Sequence, residues 1–279
     1  MICSEALVKP FLKWAGGKRQ LLPEIREHIP ETFNSYYEPF LGAGAVFLDL
    51  LPTKAIVNDF NEQLMLTYRV IRDSVDELIR ILDIHKARNS RDYFYEIRAL
   101  DRNKHVFDLL PDVDKAARLI YLNKTCFNGL YRVNSRGEFN APYGRYKNPT
   151  ICEAEVLRAV SHYLNSHEVQ LLCKDFADAV ADVSKGDFVY FDPPYFSSDN
   201  TNFTSYQAEG FDASEQERLR DVFAELSDRG VKCLLSNSDT EFIRELYSGF
   251  DIRTVSAIRA INADANGRGR VNEVLVRNW

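Results

Sequence analysis

The apolar run at residues 188–191 and the two prolines close behind it constrain the fold more than any other feature of the chain. The run reads Phe-Val-Tyr-Phe, and β-branched and aromatic residues in succession predict a buried strand. Pro193 and Pro194 must end that strand, because proline cannot continue a ladder of hydrogen bonds. Asp192 and Tyr195 are therefore expected at the carboxyl end of a strand, the edge of an open α/β sheet where ligands bind.

Asp192 and the Pro193 carbonyl suit group transfer to an exocyclic amine of a nucleobase. Such a nitrogen is a poor nucleophile, because its lone pair is delocalised into the ring, and acceptors for both its N–H groups would free that pair. The prolines fix φ near about −65° and donate no N–H, so the rim holds only acceptors. Tyr195 offers a face for stacking a base, worth about 1–3 kcal/mol. The alternative is that Asp-Pro-Pro only forms a turn.

A glycine turn earlier in the chain predicts a second ligand-binding loop. Residues 36–40 indicate a short strand, residues 42–44 a Gly-Ala-Gly turn and residues 45–51 a helix, the order found in half of a Rossmann-like unit. Glycine lets the backbone approach a ligand closely. Phe47 stands at the third glycine position of the dinucleotide fingerprint, so a phosphate-free nucleoside such as S-adenosylmethionine fits the turn better than a pyrophosphate.

Asp59 follows the next predicted strand, residues 55–57, and stands 17 residues after Gly42. An acidic residue at this position is suited to accept both ribose hydroxyls of a nucleoside. The alternative is that Asp59 only caps the helix predicted from residue 61.

Residues 11–18 indicate an aromatic, glycine-rich turn before an amphipathic helix predicted from about Lys18. Its Gly-Lys pair does not belong to a phosphate-binding P-loop, because Leu12 and Arg19 replace the glycine and the hydroxyl residue that such a loop requires. The turn would place Trp14 and Lys18 near the next loop, able to cover an adenine ring or pair with a carboxylate. The alternative is that Trp14 only fills the core.

Residues 61–167 show helical periodicity without strand–helix alternation, which predicts a helical subdomain inserted into an α/β core. Turn residues break the periodicity over 126–149, and Gly137 between residues 131–133 and 138–140 indicates a β-hairpin. Arginine, asparagine and aromatic residues alternate on it. That composition is equally consistent with a solvated hairpin and with a reader of base edges in DNA.

The rest of the chain returns to strand–helix alternation, interrupted by two loops. The predicted elements are strand 169–172, helix 213–228, strand 231–235, helix 240–247 and strands near 252–256 and 271–276. The polar stretch 196–210 is predicted to be a flap that orders over the target base, with a disordered connector as the alternative. Within the loop 260–270, Arg268 and Arg270 are expected to contact phosphates, with an ordinary surface loop as the alternative.

Composition narrows the classes of function. A net charge of −6 argues against a protein that coats nucleic acid, but basic residues cluster at 124–147 and 253–277, where they can form a basic face. The five cysteines and five histidines are scattered, so neither a zinc site nor a disulfide framework is expected. No run reaches the length of a membrane span and the start does not resemble a signal peptide, so we expect a cytoplasmic protein.

Four motifs together resemble those of amino-methyltransferases that use S-adenosylmethionine, in particular the DNA adenine methylase type of the alpha group. They are Asp-Pro-Pro-Tyr at 192–195, Phe-Leu-Lys-Trp-Ala-Gly-Gly-Lys at 11–18, Glu-Pro-Phe-Leu-Gly-Ala-Gly at 38–44 and Phe-Asn-Gly-Leu-Tyr-Arg at 127–132. They occur in the family's order. The resemblance implies an α/β fold, with a Rossmann-like methyltransferase core at residues 1–60 and 168–279 and a helical, hairpin-bearing target-recognition domain at residues 61–167.

The resemblance also implies the residues of the site. The catalytic motif would be Asp192, Pro193, Pro194 and Tyr195. The cofactor would contact Trp14, Lys18, Phe40, Gly42, Gly44, Asp59, Asp175, Phe176 and Asp192. The DNA would contact Phe127, Asn128, Leu130, Arg132, Asn134, Pro142 and Arg145, with Arg132 as the reader of guanine. Asp175 has the alternative role of a helix cap.

The reaction implied is methyl transfer from S-adenosylmethionine to adenine N6 in double-stranded DNA, within the family's target GATC, as in restriction-modification or DNA replication and repair. The adenine would be extruded from the duplex and stacked on Tyr195. No metal is expected, and the chain is expected to act as a monomer or weak dimer. The alternatives are a cytosine-N4 DNA methylase, an RNA or protein amide methylase and a non-catalytic DNA-binding regulator on the same scaffold.

Overall fold

The structure is a computed structural model that describes residues 5–14, 16–196, 211–258 and 270–279. Within these ranges one mixed sheet contains β1 (Tyr36–Glu38), β2 (Lys54–Asn58), β3 (Glu168–Leu172), β4 (Phe188–Phe191), β5 (Lys232–Ser238), β6 (Asp251–Ile258) and β7 (Arg270–Arg277). Their order across the sheet is β3-β2-β1-β4-β5-β7-β6. The first five are parallel, and β7 pairs antiparallel with both β5 and β6. The predicted α/β fold is confirmed.

The strand order reverses between β1 and β4. From β1 the chain proceeds outward to β2 and β3, then returns to place β4 on the other side of β1, where Tyr36 pairs with Phe188 and Tyr37 with Val189. Such a switch point leaves a crevice at the carboxyl ends of the two strands. The glycine turn after β1 and Asp192 after β4 both lie there.

The described ranges also contain helices on both sides of the sheet. They are α1 (Leu22–Glu27), α2 (Phe47–Leu50), α3 (Glu62–Asp73), α4 (Val75–Arg88), α5 (Arg91–Ala99), α6 (Lys104–Asp108), α7 (Asp112–Thr125), α8 (Ala154–Ser166), α9 (Phe176–Ala179), α10 (Ala213–Asp228) and α11 (Glu241–Leu246). The short 3₁₀ turns of the same ranges are Glu5–Leu7, Lys18–Gln20, Leu100–Arg102 and Phe127–Gly129. No described helix is long and apolar enough to cross a bilayer.

Two hydrophobic clusters cover the two faces of the sheet. Phe188 and Tyr190 of β4 belong to one cluster, and Val189 and Phe191 to the other, because successive side chains of a strand point to opposite faces. The first cluster continues without a break into α3, α4, α7 and α8, and the second is covered by α10 and α11. Residues 61–167 therefore share a hydrophobic core with the sheet.

Several predicted boundaries were wrong, two for local reasons and one because of strand pairing. The helix predicted from about Lys18 begins instead at Leu22, because Pro23 is tolerated only in a helix's first turn. The helix predicted at 45–51 is shorter, since Leu51 takes a left-handed conformation with φ 49°. β5 extends to Ser238 because β7 pairs with it there. Residues 197–210 and 259–269, which contain Arg268 and all of the predicted flap except Phe196, lie outside the described residues.

Candidate active site

Asp192 lies directly after β4, at the switch point. Its Oδ1 accepts a hydrogen bond from Ser236 Oγ at 2.9 Å and pairs with Lys18 Nζ at 2.7 Å. The Tyr190 hydroxyl lies 3.0 Å from Ser236 Oγ and donates to it, because Ser236 gives its own proton to Asp192. Among the described residues, neither Asp192 Oδ2 nor the Pro193 carbonyl has a hydrogen-bond partner. One oxygen of the carboxylate is therefore held by two donors, and the other oxygen has no partner in the described part of the chain.

Lys18 contacts the tetrapeptide from the other end of the chain. It is only 4% exposed, and its Nζ donates to the Gly16 carbonyl at 2.6 Å. The same Nζ lies 4.5 Å from the ring centroid of Tyr195, within the range of a cation–π contact. Lys18 pairs with a carboxylate, one of the roles predicted for this turn, and that carboxylate is Asp192.

The half-buried carboxyl group of Asp192 and the buried carboxyl group of Glu38 influence each other electrostatically. Burial raises the pKa of Asp192, while Lys18 and Ser236 act in the opposite direction. Glu38, at the end of β1, is 2% exposed, and burial raises its pKa well above the ordinary value. The Tyr36 hydroxyl donates to Glu38 at 2.5 Å and opposes that rise, whereas the charge on Asp192 adds to it. The positive charge of Lys18 favours the ionised form of Asp192, which is the form with two acceptor oxygens.

Tyr195 is held by its hydroxyl as well as by its ring. The hydroxyl donates to Glu273 Oε2 at 2.6 Å, from β7. Burial, followed by the charges of Asp192 and Glu273, raises the pKa of Tyr195 well above its usual value. The phenol therefore stays protonated and remains a donor.

The backbone after Pro193 is anchored by three further polar side chains. Gln216 of α10 donates to the Pro194 carbonyl at 2.9 Å and accepts from the Asn237 amide at 2.9 Å. Asn237 in turn accepts from the Phe196 N–H at 3.3 Å, and Ser238 Oγ donates to the Phe196 carbonyl at 2.7 Å. The loop is thus fixed to β5 and α10.

Sequence reasoning assigned no role to Ser236, Gln216 or Glu273. The available signal was the polar Ser-Asn-Ser triplet at 236–238, directly after an apolar strand, which is the position of site residues in α/β sheets. Gln216 and Glu273 gave no signal, because each stands beside other polar residues in its helix or strand and nothing in the local pattern distinguishes it.

The glycine turn has the tight geometry that its composition predicts. Gly42 and Gly44 both have positive φ, 51° and 66°. A Cβ on Gly42 would lie 3.0 Å from Trp14 Cδ1, and a Cβ on Gly44 only 2.7 Å from the Tyr68 hydroxyl. Side chains at either position would therefore close the space beside the turn.

Asp59 connects the turn to the end of β2. Its Oδ2 accepts from the Gly42 N–H at 2.8 Å and its Oδ1 from the Asn61 N–H at 2.9 Å. Burial raises the pKa of Asp59, and these two hydrogen bonds oppose the rise. The cap of α3 is Asn61, which accepts from the Leu64 N–H at 3.0 Å, so Asp59 is not needed as a cap. The neighbouring Phe60, 60% exposed, was not singled out from the sequence.

An aromatic cluster lies beyond the turn. Phe40 packs against Phe176 and Phe211 with centroid separations of 5.3 and 5.6 Å. Asp175 caps α9 by accepting from the Ala177 N–H at 2.9 Å, as its alternative role required. It also forms an ion pair with Arg218, whose guanidinium lies 4.4 Å from the Phe176 ring centroid. Both predicted residues after β3 are thus close to Phe40.

Trp14 joins the turn to the hairpin. It is half-buried and stacks on Tyr131, with ring centroids 5.1 Å apart and an interplanar angle of 20°. Next to it, Asn123 accepts from the Lys13 N–H at 3.0 Å and donates to the carbonyls of Lys13 and Gly129 at 2.8 and 3.0 Å. The base of the hairpin is therefore tied to the loop that carries Lys18.

The predicted hairpin is present as a turn with few ladder contacts. Its bridges are Val133 with Phe139 and Cys126 with Tyr143. Asn134 holds the turn: its side-chain oxygen accepts from the N–H groups of residues 136 and 138, each at 3.0 Å. Asn134 therefore serves the turn itself.

The other residues predicted to contact DNA are mostly on the hairpin surface. Phe127 is 55% exposed, and its N–H donates to the Pro142 carbonyl at 2.8 Å. Arg132 is exposed, with Nε held by Asn140 Oδ1 at 2.6 Å. Arg145 and Pro142 are also exposed, whereas Asn128 and Leu130 are half-buried.

One buried ion pair supports the returning arm of the hairpin. Arg118 of α7, 2% exposed, pairs with Asp101 at 2.7 Å. Asp101 also accepts from the Phe139 N–H at 2.8 Å, and Arg102 donates to the Phe139 carbonyl at 2.5 Å. The hairpin is thus fixed through its backbone, while the side chains of Phe127, Arg132 and Arg145 are exposed. Within the described ranges no three His, Cys, Asp or Glu side chains are grouped to hold a metal ion.

The chain is similar to known DNA methyltransferases along nearly its whole length. Residues 14–261 match the model of the D12 class N6 adenine-specific DNA methyltransferases. The chain is 45% identical to a type II methyltransferase, M1.LlaDCHI, of Lactococcus lactis subsp. cremoris, over 98% of this chain and 96% of that protein. It is 43% identical to the type II methyltransferase M.MjaIII of Methanocaldococcus jannaschii, over 98% and 99%. It is 35% identical to the DNA adenine methylase of Escherichia coli K12, over 96% and 94%.

Proposed function

Because the chain belongs to the D12 class N6 adenine-specific DNA methyltransferases, we propose that it methylates the adenine of GATC in double-stranded DNA, with the residues described above in defined roles. GATC follows from the resemblance of the 127–132 motif to that of the DNA adenine methylase type. Bound S-adenosylmethionine supplies an electrophilic methyl group on a sulfonium. The remaining steps belong to the chain's own residues.

The open side of Asp192 carries the proposal. Asp192 Oδ2 and the Pro193 carbonyl are two acceptors without partners in the described part of the chain, next to the ring of Tyr195. An adenine stacked on that ring presents two N–H hydrogens, one to each acceptor. Holding both hydrogens localises the lone pair on N6 and orients it, so positioning supplies most of the catalysis.

The residues around the glycine turn fit a nucleoside. Each Asp59 oxygen uses one lone pair for a backbone N–H and keeps another for a ribose hydroxyl. The positive-φ glycines leave room for the ligand beside Trp14. Phe40, Phe176 and the exposed Phe60 provide apolar surface for an adenine ring.

The hairpin is proposed to read the duplex, with residues 61–167 as the recognition domain. Arg132 is exposed and is held by Asn140, whose side-chain oxygen accepts from Nε at 2.6 Å and whose carbonyl accepts from Nη2 at 3.4 Å. In the described part of the chain, Nη1 and the second N–H of Nη2 have no partner. That geometry suits guanine O6 and N7 in the major groove. Phe127, exposed beside Pro142, suits insertion between bases. Asn128, Leu130, Asn134 and Arg145 complete the proposed surface, with the enzyme acting in the cytoplasm as a monomer or weak dimer.

The test is transfer of a labelled methyl group by the purified chain to matched duplexes. One duplex contains GATC, a second has its adenine replaced, and a third has its guanine replaced. We expect N6-methyladenine in the first alone, and loss of turnover in Asp192→Ala with the fold intact by circular dichroism. N4-methylcytosine as the product, equal methylation of the third duplex, or retained turnover in the variant would each contradict part of the proposal.

A further inference from the structure

We propose that Glu273, on the C-terminal strand β7, is a positioning residue for methyl transfer, because it fixes the ring on which the target base stacks. The inference rests on the proposed role of Tyr195 as that stacking surface. Glu273 lies in the middle of the antiparallel part of the sheet, paired with Ser238 of β5 and Val255 of β6.

A carboxylate is unexpected at this place on packing grounds. Alternate residues of a strand share a face, so Glu273 lies on the same face as Leu275, which belongs to a hydrophobic cluster. Glu273 is 9% exposed. A buried acid destabilises the fold unless it is hydrogen-bonded. In the described ranges the only hydrogen-bond partner of its side chain is the Tyr195 hydroxyl. The position of the carboxylate is therefore explained by its hydrogen bond to Tyr195 and not by a side-chain contact within β7.

The contact has the geometry of a strong hydrogen bond. Its length of 2.6 Å falls in the range of a hydroxyl that donates to an ionised carboxylate. Lys18 Nζ lies 4.5 Å from the ring centroid. The phenol is therefore held at its hydroxyl by Glu273 and at its face by Lys18, which removes rotation of the side chain.

Fixing Tyr195 also fixes it relative to Asp192. Ser236, which holds Asp192, pairs with Leu275, and Ser238 pairs with Glu273, so both anchors come from one pair of adjacent strands, β5 and β7. The stacking face and the amine acceptor are thereby held to the same rigid frame. A displacement of about 1 Å in such an arrangement can lower a rate by roughly 10²-fold.

Four variants test the inference: Glu273→Ala, Glu273→Gln, Tyr195→Phe and a double variant that carries both Glu273→Ala and Tyr195→Phe. Each is measured for kcat, for KM with GATC duplex and with the methyl donor, and for the fluorescence of 2-aminopurine at the target position. We expect Glu273→Ala to lower kcat about 10- to 100-fold with both KM values little changed, and to alter the 2-aminopurine signal. Glu273→Gln, whose amide oxygen still accepts from the hydroxyl, should restore most of kcat.

The double variant separates positioning from general stability. If Glu273 acts through the hydroxyl, Glu273→Ala should lower kcat no further in the Tyr195→Phe background. Additive losses, or an unchanged kcat in Glu273→Ala, would overturn the inference while wild-type activity on GATC stands. If Glu273→Ala does not fold, Glu273→Gln and Tyr195→Phe are used to test the inference instead. Equal kcat values for Tyr195→Phe and the wild type would then overturn the inference. Failure of the proposed function would instead appear as an inactive wild type.

Discussion

The tetrapeptide at the sheet edge and the hairpin of the helical region are held in opposite ways. At the tetrapeptide, functional side chains themselves are fixed: Asp192 by Lys18 and Ser236, and Tyr195 by Glu273. In the hairpin, the Asp101 network holds the backbone of Phe139 and leaves the outer side chains exposed.

This difference matches the two proposed tasks, methyl transfer at the tetrapeptide and recognition of a duplex at the hairpin. Chemistry on an amine requires acceptors that are already in place before the base arrives. Recognition of a duplex is completed only when DNA supplies the partners, so its side chains remain solvated until then. Substitutions in the first region should act mainly on turnover, and substitutions in the second mainly on discrimination between sequences.

Asp192→Asn should produce the largest effect. The amide oxygen can replace Oδ1 beside Lys18, but its NH₂ then occupies the position of Oδ2 and presents a donor to the N–H of the target amine. We expect kcat to fall about 10²- to 10⁴-fold with DNA affinity retained. Single-turnover methyl transfer and gel-shift binding on the same duplex measure the two quantities. A loss of DNA affinity as large as the loss in kcat would contradict the expectation that substitutions at the tetrapeptide act mainly on turnover.

Gly44→Ala tests how closely the glycine turn is packed. The left-handed backbone alone costs about 1–3 kcal/mol for a residue with a Cβ, and that Cβ would lie 2.7 Å from the Tyr68 hydroxyl. We expect a lower unfolding midpoint and weaker binding of the methyl donor by calorimetry. Gly137→Ala is the control, because Gly137 also has positive φ but nothing lies within 4 Å of its Cβ position. Equal donor binding in the two variants would contradict the role of the turn.

Arg132→Ala should alter discrimination with little effect on the chemical step. Loss of a bidentate contact to guanine costs about 1–3 kcal/mol of discrimination, so the preference for GATC over a duplex with its guanine replaced should narrow about 5- to 150-fold. Arg136→Ala, an exposed arginine at the hairpin turn, removes the same charge as a control. Were both variants to lose the same discrimination, a general electrostatic effect would explain it.

Glu38→Gln should give the smallest effect, on the pH dependence of stability. Burial raises the folded-state pKa of Glu38 above its unfolded value, so the folded state binds more protons between the two values. The free energy of unfolding must then fall as pH rises through that window. Glutamine cannot ionise, so the decline should become shallower, with Asp59 and Asp192 contributing the remainder. Chemical denaturation at several pH values measures this.

A surface substitution provides the reference for that measurement. Glu155 on α8 is 76% exposed, so Glu155→Gln removes the same charge from solvent. Its stability profile should keep the slope of the wild type. A shallower slope in Glu155→Gln as well would show that net charge, and not the buried carboxyl, is responsible.

Local patterns were enough to predict much of the fold. The strand at 188–191, the helix at 213–228 and the turn around Gly137 agree with the structure. Each depends on residues near one another in the chain: an apolar run ended by prolines, a helical periodicity and a turn residue.

The sequence by itself thus determined which segments become strands, which turns carry glycine and which acid follows β4. Only the tertiary structure decided the partners: that Lys18 reaches Asp192, that Glu273 binds Tyr195 and that Asn61 rather than Asp59 caps α3. The physical reason is that a pattern reports local conformation and burial. The meeting of residues 18 and 192, or 195 and 273, depends instead on the strand order, which brings distant ends of the chain to one edge of the sheet.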